Sequence, residues 1–240
     1  EVTEWHPLVA HSADVAAVFE ALLEETILEQ RLAALLDWET LERTHIARLS
    51  VLAALHDSGK VNNGFQARKE LSPTNPAGHV SPMIAVLGCE RETELLQSLG
   101  IEPFIGWFDS RDRDKAILDS LCATWAHHGI PIRPKSTTFD NRLWEKTSDN
   151  DPVSGLGRLA DAARDWFPEA FESDAEPIPD VPAFRHAFNG VLNLADWLAS
   201  NRTFFDYEQP NDPERIDVAR RRASELLEKM HLAPKLSRTA

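Results

Sequence analysis

Apolar residues recur every three or four positions along most of the chain, which is the spacing of an amphipathic α-helix. Between these stretches lie segments rich in Gly, Pro, Asn and acidic residues, the composition of turns and loops. We find neither a convincing alternating strand nor an internal repeat. The pattern predicts helices over residues 9–36, 40–57, 65–71, 80–99, 112–128, 156–166, 183–200 and 212–231, with irregular chain over 58–64, 72–78, 131–155 and 172–182.

These elements predict an all-α fold, a compact helical bundle formed by residues 1–240 as a single domain. The 42% hydrophobic and 27% charged content is typical of a globular protein. The sequence contains no run of about 18 apolar residues and therefore predicts no transmembrane helix. The first residues lack a signal-peptide pattern. Cys89 and Cys122 are too few for a disulfide framework and lack CxxC spacing. We therefore expect reduced core thiols in a cytoplasmic protein with no membrane partner.

The chain carries a formal net charge of −14, which counts against an extended nucleic-acid-binding surface because such surfaces normally need a basic patch. Bound metal ions would offset this charge only locally. If the substrate is nucleic acid, the binding groove must be short, or a partner must supply positive surface.

The most informative stretch is LHDSGK, residues 55–60, which places an imidazole beside a carboxylate at the end of an apolar, helix-patterned run. His56 and Asp57 can bind a divalent metal ion through nitrogen and oxygen. Gly59 can end the helix, and Lys60 can then face a phosphate. A lone His-Asp pair is weak evidence, so its meaning depends on further ligands.

Further candidate ligands lie on, or at the ends of, other predicted helices, which a bundle can bring to one pocket. Each has an ordinary alternative. The histidines can serve as helix-end or loop residues, and the aspartate can be a partly exposed carboxylate on an apolar helix, where burial without a partner is costly. These candidates are His11, His79, His127, His128 and Asp196.

The ordered set of motifs resembles the HD superfamily of metal-dependent phosphohydrolases and, more narrowly, the HD nuclease domain of the CRISPR-associated nuclease–helicase of type I systems. The resemblance covers residues 5 to about 201. In chain order, the segments that carry it are HPLVAHSADVAAVFEALL, LAALHDSGK, NGFQARKE, GHVSP, WAHHGIP and NLADWLASN.

The resemblance implies a metal-dependent single-strand DNase with two divalent transition-metal ions. It implies one ion on His11, His56, Asp57 and Asp196, and a second on His79, His127 and His128, with Asp57 bridging the two. It places Lys60 beside the scissile phosphate. It also implies a superfamily 2 helicase and a crRNA-guided surveillance complex as partners. The sequence contains no GxxxxGK[ST] phosphate loop, so the helicase is either a separate polypeptide or part of a longer chain from which this domain is taken. Residues 202–240 are expected to form a C-terminal helix and, in the second case, can serve as a linker toward the helicase.

Ligand chemistry adds a mechanism: two ions lower the pKa of a bridging water, and the hydroxide displaces the 3′ oxygen in line, without a protein nucleophile. Imidazole and carboxylate ligands favour Fe, Mn, Co or Ni over Mg. Trp107, Trp125, Trp144 and Trp166 are candidates for base stacking, with packing as the commoner role of such residues.

Two other functions remain open from the sequence. One is an HD phosphohydrolase acting on nucleotides or cyclic dinucleotides, although Gly129-Ile130-Pro131 departs from the Gly-Tyr-Pro signature of the cyclic-dinucleotide branch. The other is a metal-stabilised docking module without activity, which the full set of candidate ligands disfavours.

Overall fold

The structure is a computed structural model that describes residues 6–70, 75–109, 113–126, 137–172, 175–206 and 215–232. Over these residues its regular structure is helical apart from two very short strands, which confirms the predicted all-α class. None of the described helices is long and apolar enough to cross a membrane. The helices are α1 (Leu8–Glu25), α2 (Leu28–Ala34), α3 (Arg43–Ala54), α4 (Asn63–Gln66), α5 (Val80–Ile84), α6 (Glu92–Ser98), α7 (Arg113–Trp125), α8 (Pro152–Trp166), α9 (Pro182–Ala199) and α10 (Arg215–Lys229).

Two predicted helices are each divided into two in the structure. The expected helix over 9–36 breaks at Thr26, whose backbone is extended and whose hydroxyl donates to the Leu22 carbonyl and accepts from the Leu28 amide. The expected helix over 80–99 is interrupted after α5, where Gly88 adopts a φ of 88° that favours glycine. In both places a local polar or glycine signal outweighs the apolar spacing.

Helix α8 begins at Pro152, four residues before its predicted start, within a segment that was expected to be irregular. Asp151 is the N-cap and accepts a hydrogen bond from the Ser154 amide at 3.1 Å. Proline at the first helical position has no amide hydrogen to leave unsatisfied. The Asp-Pro pair is therefore a helix-start signal rather than a loop signal.

Two very short parallel strands, β1 (Phe108–Asp109) and β2 (Ile178–Pro179), pair with each other. Two residues are too few to produce an alternating pattern, which is why neither strand was predicted. Phe108 and Ile178 are buried. The pairing ties the segment over 172–182, expected to be a surface loop, to the core.

Helix α1 lies at the centre of the fold and packs against α3, α9 and α10. It is buried from Ser12 to Leu23, on all sides rather than along one stripe. Alanines at four of these positions keep the helix surface narrow, so that neighbouring helices can surround it. Because His11 lies on α1, and His56 and Asp196 lie just after α3 and on α9, this packing brings three candidate ligands together.

The buried acidic groups of α1 are neutralised by α10. The guanidinium of Arg215 binds both oxygens of Asp14, at 2.8 and 2.6 Å, and both residues are buried. His6 Nε2 lies 2.7 Å from the same carboxylate. Farther along α1, Arg220 binds Glu20 at 2.7 Å. The charged residues of α10 therefore anchor this helix to the centre of the fold.

The cysteines are free, as expected, but Cys89 and Cys122 are both partly exposed rather than enclosed in the core. The tryptophans at 107, 125, 144 and 166 are all buried. Packing is therefore their role, and none of the four presents a ring face to a substrate.

Replacing Arg215 with Ala should lower the free energy of unfolding by about 3–5 kcal/mol, because Asp14 would remain buried without its guanidinium partner. Urea denaturation followed by circular dichroism measures this loss. Arg221→Ala, which removes an exposed arginine from the same helix, is the matched control and should change stability by less than about 0.5 kcal/mol. Equal losses in the two variants would contradict the role of the buried pair.

Candidate metal centre

His56 and Asp57 lie in the turn between α3 and a 3-10 turn over Ser58–Val61. The sequence predicted them at the helix end, and the structure places them just beyond Ala54, the last helical residue. Both side chains are almost completely buried. A buried carboxylate is costly unless opposite charges or hydrogen-bond donors surround it, so the neighbours of Asp57 are decisive.

The Asp57 carboxylate is the point on which the other groups converge. Its Oδ2 lies 3.2 Å from His56 Nε2 and 3.3 Å from His11 Nε2, and it pairs with the Lys60 ammonium. Its Oδ1 lies 3.1 Å from His79 Nε2. The two oxygens therefore face two different groups of side chains.

Asp196 on α9 completes the first of these groups. Its Oδ1 lies 3.3 Å from His11 Nε2 and 3.7 Å from His56 Nε2. Ligand atoms of His11, His56 and Asp196 all lie within 4.8 Å of one another, close enough for one ion to reach them all. Every predicted site residue that the structure describes is thus brought together, whereas His127 and His128 lie outside the described residues.

The His56 ring is oriented by its own helix. Its Nδ1 lies 2.8 Å from the Ala53 carbonyl oxygen. A carbonyl only accepts, so Nδ1 carries the proton, and Nε2 faces the carboxylates of Asp57 and Asp196. A backbone hydrogen bond of this kind typically fixes the tautomer and orientation of a metal-binding histidine. The donor set of imidazole nitrogens and carboxylate oxygens also fits a divalent transition metal.

The charges in this cluster shift its pKa values. Burial alone would lower the pKa of His56, but the carboxylates of Asp57 and Asp196 outweigh it and raise that pKa to about 9. Burial would raise the pKa of Asp57, yet the imidazoles of His56, His11 and His79 hold it well below its usual range. The pKa of Asp196 is lowered against burial by His11 and His56. At neutral pH both carboxylates are ionised.

The position of His79 depends on Gly59. A Cβ atom at residue 59 would stand 2.1 Å from the His79 carbonyl oxygen, an impossible contact. Glycine was expected here as a helix stop, but its role in the structure is to let the backbone of residue 79 approach. The buried Asn62 side chain holds the two segments together by donating to the carbonyls of Gly59 and Gly78, at 2.7 and 2.9 Å.

Sequence analysis gave Asn62 no role beyond turn formation. Its partners lie 3 and 16 residues away. The hydrogen bond to the more distant partner, Gly78, joins the two segments, and a local sequence pattern cannot predict a contact over that separation. The sequence signal that could have indicated this role is the position of an asparagine five residues after Asp57.

Metal affinity should rise with pH well above the range in which an ordinary histidine titrates. His56 has a raised pKa of about 9, so below that pH a proton occupies the nitrogen that a metal would take. We expect the apparent Ni²⁺ affinity to increase about tenfold between pH 7 and pH 8. Isothermal titration calorimetry in buffers of different ionisation enthalpy measures both the affinity and the proton released. An affinity that is flat over this interval would contradict the assigned proton.

Gly59→Ala should lower the free energy of unfolding by about 1–3 kcal/mol, because the added methyl group forces the residue 79 segment outward. Urea denaturation measures the loss. Gly190→Ala is the matched control, since a Cβ there meets no atom within 4 Å and alanine favours a helix. If Gly59→Ala is as stable as this control, the close approach does not constrain residue 59.

Comparison with known proteins identifies the family of this chain. The family model described as "Cas3, HD domain" matches residues 1–205. A curated relative, the CRISPR-associated endonuclease/helicase Cas3 of Thermus thermophilus, is 28% identical over 246 residues. The match covers 94% of this chain but 24% of the relative, so the chain spans about a quarter of that protein's length.

Solved structures share the fold. The Thermus thermophilus Cas3 HD domain, determined in the presence of Ni²⁺, superimposes with a TM-score of 0.62 at 24% identity, covering 94% of this chain and 85% of that domain. Cas3 of T. fusca gives a TM-score of 0.64 at 23% identity, covering 95% of this chain and 26% of that one. A chain of a CRISPR RNA-guided surveillance complex, pre-nicking, gives 0.59 at 22% identity, covering 94% and 27%. With the family model matching most of its length, this chain belongs to the Cas3 HD domain family.

Proposed function

We propose that this chain is a metal-dependent nuclease domain that hydrolyses phosphodiester bonds of single-stranded DNA. The observation that carries the proposal is the Asp57 carboxylate, whose two oxygens face His11, His56 and Lys60 on one side and His79 on the other. A carboxylate in this position can bridge two metal ions. A site of this chemistry in a Cas3 HD domain is best explained by phosphodiester hydrolysis.

We assign one ion to His11, His56, Asp57 and Asp196, whose ligand atoms converge. We assign a second to His79 and Asp57, with His127 and His128 expected to complete it. The ligand chemistry favours Fe, Mn, Co or Ni, and a relative was solved in the presence of Ni²⁺.

Ions held by these residues would supply Lewis-acid activation of water and of the scissile phosphate. The protein's own groups prepare the site for that chemistry. The Ala53 carbonyl fixes the His56 ring, and burial of Asp57 removes competing bulk water. The Lys60 side chain is 26% exposed, so its ammonium, now paired with Asp57, can reach an incoming phosphate oxygen and offset the charge that develops there. No serine or cysteine nucleophile is required.

The relatives support a proposal about the wider role of this domain. A curated relative is an endonuclease/helicase, and a structural relative occurs in a surveillance complex. We propose that this domain degrades foreign DNA in type I CRISPR interference, in the cytoplasm, with a helicase that feeds the strand and a crRNA-guided complex that selects the target. The net charge of −14 is consistent with this dependence on partners, because a partner would then supply much of the positive surface that binds DNA. Residues 1–240 would form one HD domain whose C-terminal part leads toward the helicase.

Replacing Asp57 with Asn should reduce single-stranded DNA cleavage at least about a hundredfold, because the amide cannot bridge two cations. Cleavage of a fluorescent oligonucleotide with Mn²⁺, with and without chelator, measures the loss, and circular dichroism checks folding. Asp161→Asn, at an exposed carboxylate of α8, is the matched control and should cleave normally.

The same assay includes dNTPs and cyclic dinucleotides as substrates. Cleavage of these by the unaltered protein, with single-stranded DNA left intact, would replace the proposed nuclease with a nucleotide phosphohydrolase. Undiminished cleavage by Asp57→Asn would instead show that the active site lies elsewhere.

A further inference from the structure

A small basic element stands beside the metal centre of this acidic protein. Lys60 belongs to the centre itself, and Arg68 and Lys69 follow within nine residues, on a 3-10 turn over Ala67–Lys69 directly after α4. Arg68 and Lys69 are exposed. Within the described part of the chain, neither pairs with a carboxylate, whereas other surface cations such as Arg91 and Lys115 do. The charge of this element is therefore available to a ligand.

The ring of Phe65 connects Arg68 to the centre. The Arg68 guanidinium carbon lies 5.4 Å from the ring centroid, and the Lys60 Nζ lies 5.8 Å from the same centroid. The ring also meets the His79 ring edge to face, with centroids 5.5 Å apart at 86°. His79 in turn contacts Asp57 Oδ1. Cation–π contacts of this kind hold a guanidinium in place without neutralising it.

An aromatic ring, unlike a carboxylate, leaves the hydrogen-bonding edge of a guanidinium free, and this edge matches the oxygens of a phosphate. The element thus places a cation beside the centre and keeps it out of the ion pairs that neutralise other surface cations. A nucleic-acid backbone presents a phosphate at every nucleotide, so a strand whose scissile phosphate lies at Asp57 and Lys60 carries further phosphates on either side.

We propose that Arg68, positioned by Phe65 and assisted by Lys69, binds a backbone phosphate of the DNA strand next to the one that is cleaved. The inference rests on the proposed nuclease function and deepens it, because it assigns a part of the substrate beyond the scissile group. The contact is independent of base sequence. It gives the acidic domain a local means of holding a single strand before any partner contributes.

Binding of a fluorescent oligothymidylate, followed by anisotropy between about 50 and 200 mM NaCl, tests the contact without requiring cleavage. Arg68→Ala should weaken binding about tenfold at low salt and reduce the slope of log affinity against log salt by about 0.7, the value for one single-strand phosphate. Phe65→Leu keeps the positive charge of Arg68 but removes the ring that positions it. This variant should therefore weaken binding while leaving most of the salt dependence of the affinity unchanged. Arg221→Ala, an exposed arginine on α10, should change neither.

Cleavage assays separate this inference from the function on which it rests. In Arg68→Ala, KM for the oligonucleotide should rise about tenfold with kcat unchanged. Hydrolysis of bis(4-nitrophenyl) phosphate, which has no neighbouring phosphate, should stay the same. Equal affinities for the unaltered protein and Arg68→Ala, or equal losses in Arg68→Ala and Arg221→Ala, would overturn the phosphate contact. Failure of the unaltered protein to hydrolyse either substrate with Mn²⁺ would instead overturn the nuclease function.

Discussion

The burial of one ionised carboxylate, that of Asp57, is the constraint on which the site depends. A carboxylate removed from water must recover its lost hydration energy from nearby charges. Here the recovery comes from three imidazoles and an ammonium on three segments of the chain, around residue 11, over residues 56–60 and at residue 79. Each segment must therefore be placed to within a hydrogen-bond length. The packing around the central helix and the glycine-mediated approach of the residue 79 backbone are the means by which the fold meets that demand.

The same arrangement surrounds the buried residues of the site from several directions. The His56 ring contacts the Ala53 carbonyl through Nδ1 and the carboxylates of Asp57 and Asp196 through Nε2. At the rim, the partly exposed Lys60 pairs with Asp57, and the exposed Arg68 is connected to the centre through the Phe65 ring. The buried part fixes geometry, and the rim is free to respond to a ligand.

The sequence predicted the fold class and the site residues on strongly patterned helices better than it predicted the connections between them. Asp196 could be placed because it follows the apolar Leu192 by one turn, and an apolar stripe fixes which side of a helix is buried. The roles of Gly59 and Asn62 could not, because each involves a contact with a segment 16 or more residues away. The breaks within the long helical runs were missed because their signals, such as Thr26, are single residues that apolar spacing ignores. The exposure of single side chains was equally hard to predict. Trp197 lies in an apolar helix directly after the partly buried Asp196, yet it is 82% exposed. The reason is that consecutive residues of a helix are rotated by about 100° about its axis.

Two buried carboxylates, Asp14 and Asp57, each stand beside histidine, but the partner that completes the charge balance differs. At Asp14 it is the guanidinium of Arg215, which donates to both oxygens and has no lone pair with which to bind a metal. At Asp57 the neighbours include three imidazoles, whose ring nitrogens, unlike a guanidinium, can bind a metal ion. The fold therefore pairs one buried carboxylate with a cation that cannot be a metal ligand and surrounds the other with side chains that can, which makes Asp57 the carboxylate suited to an ion.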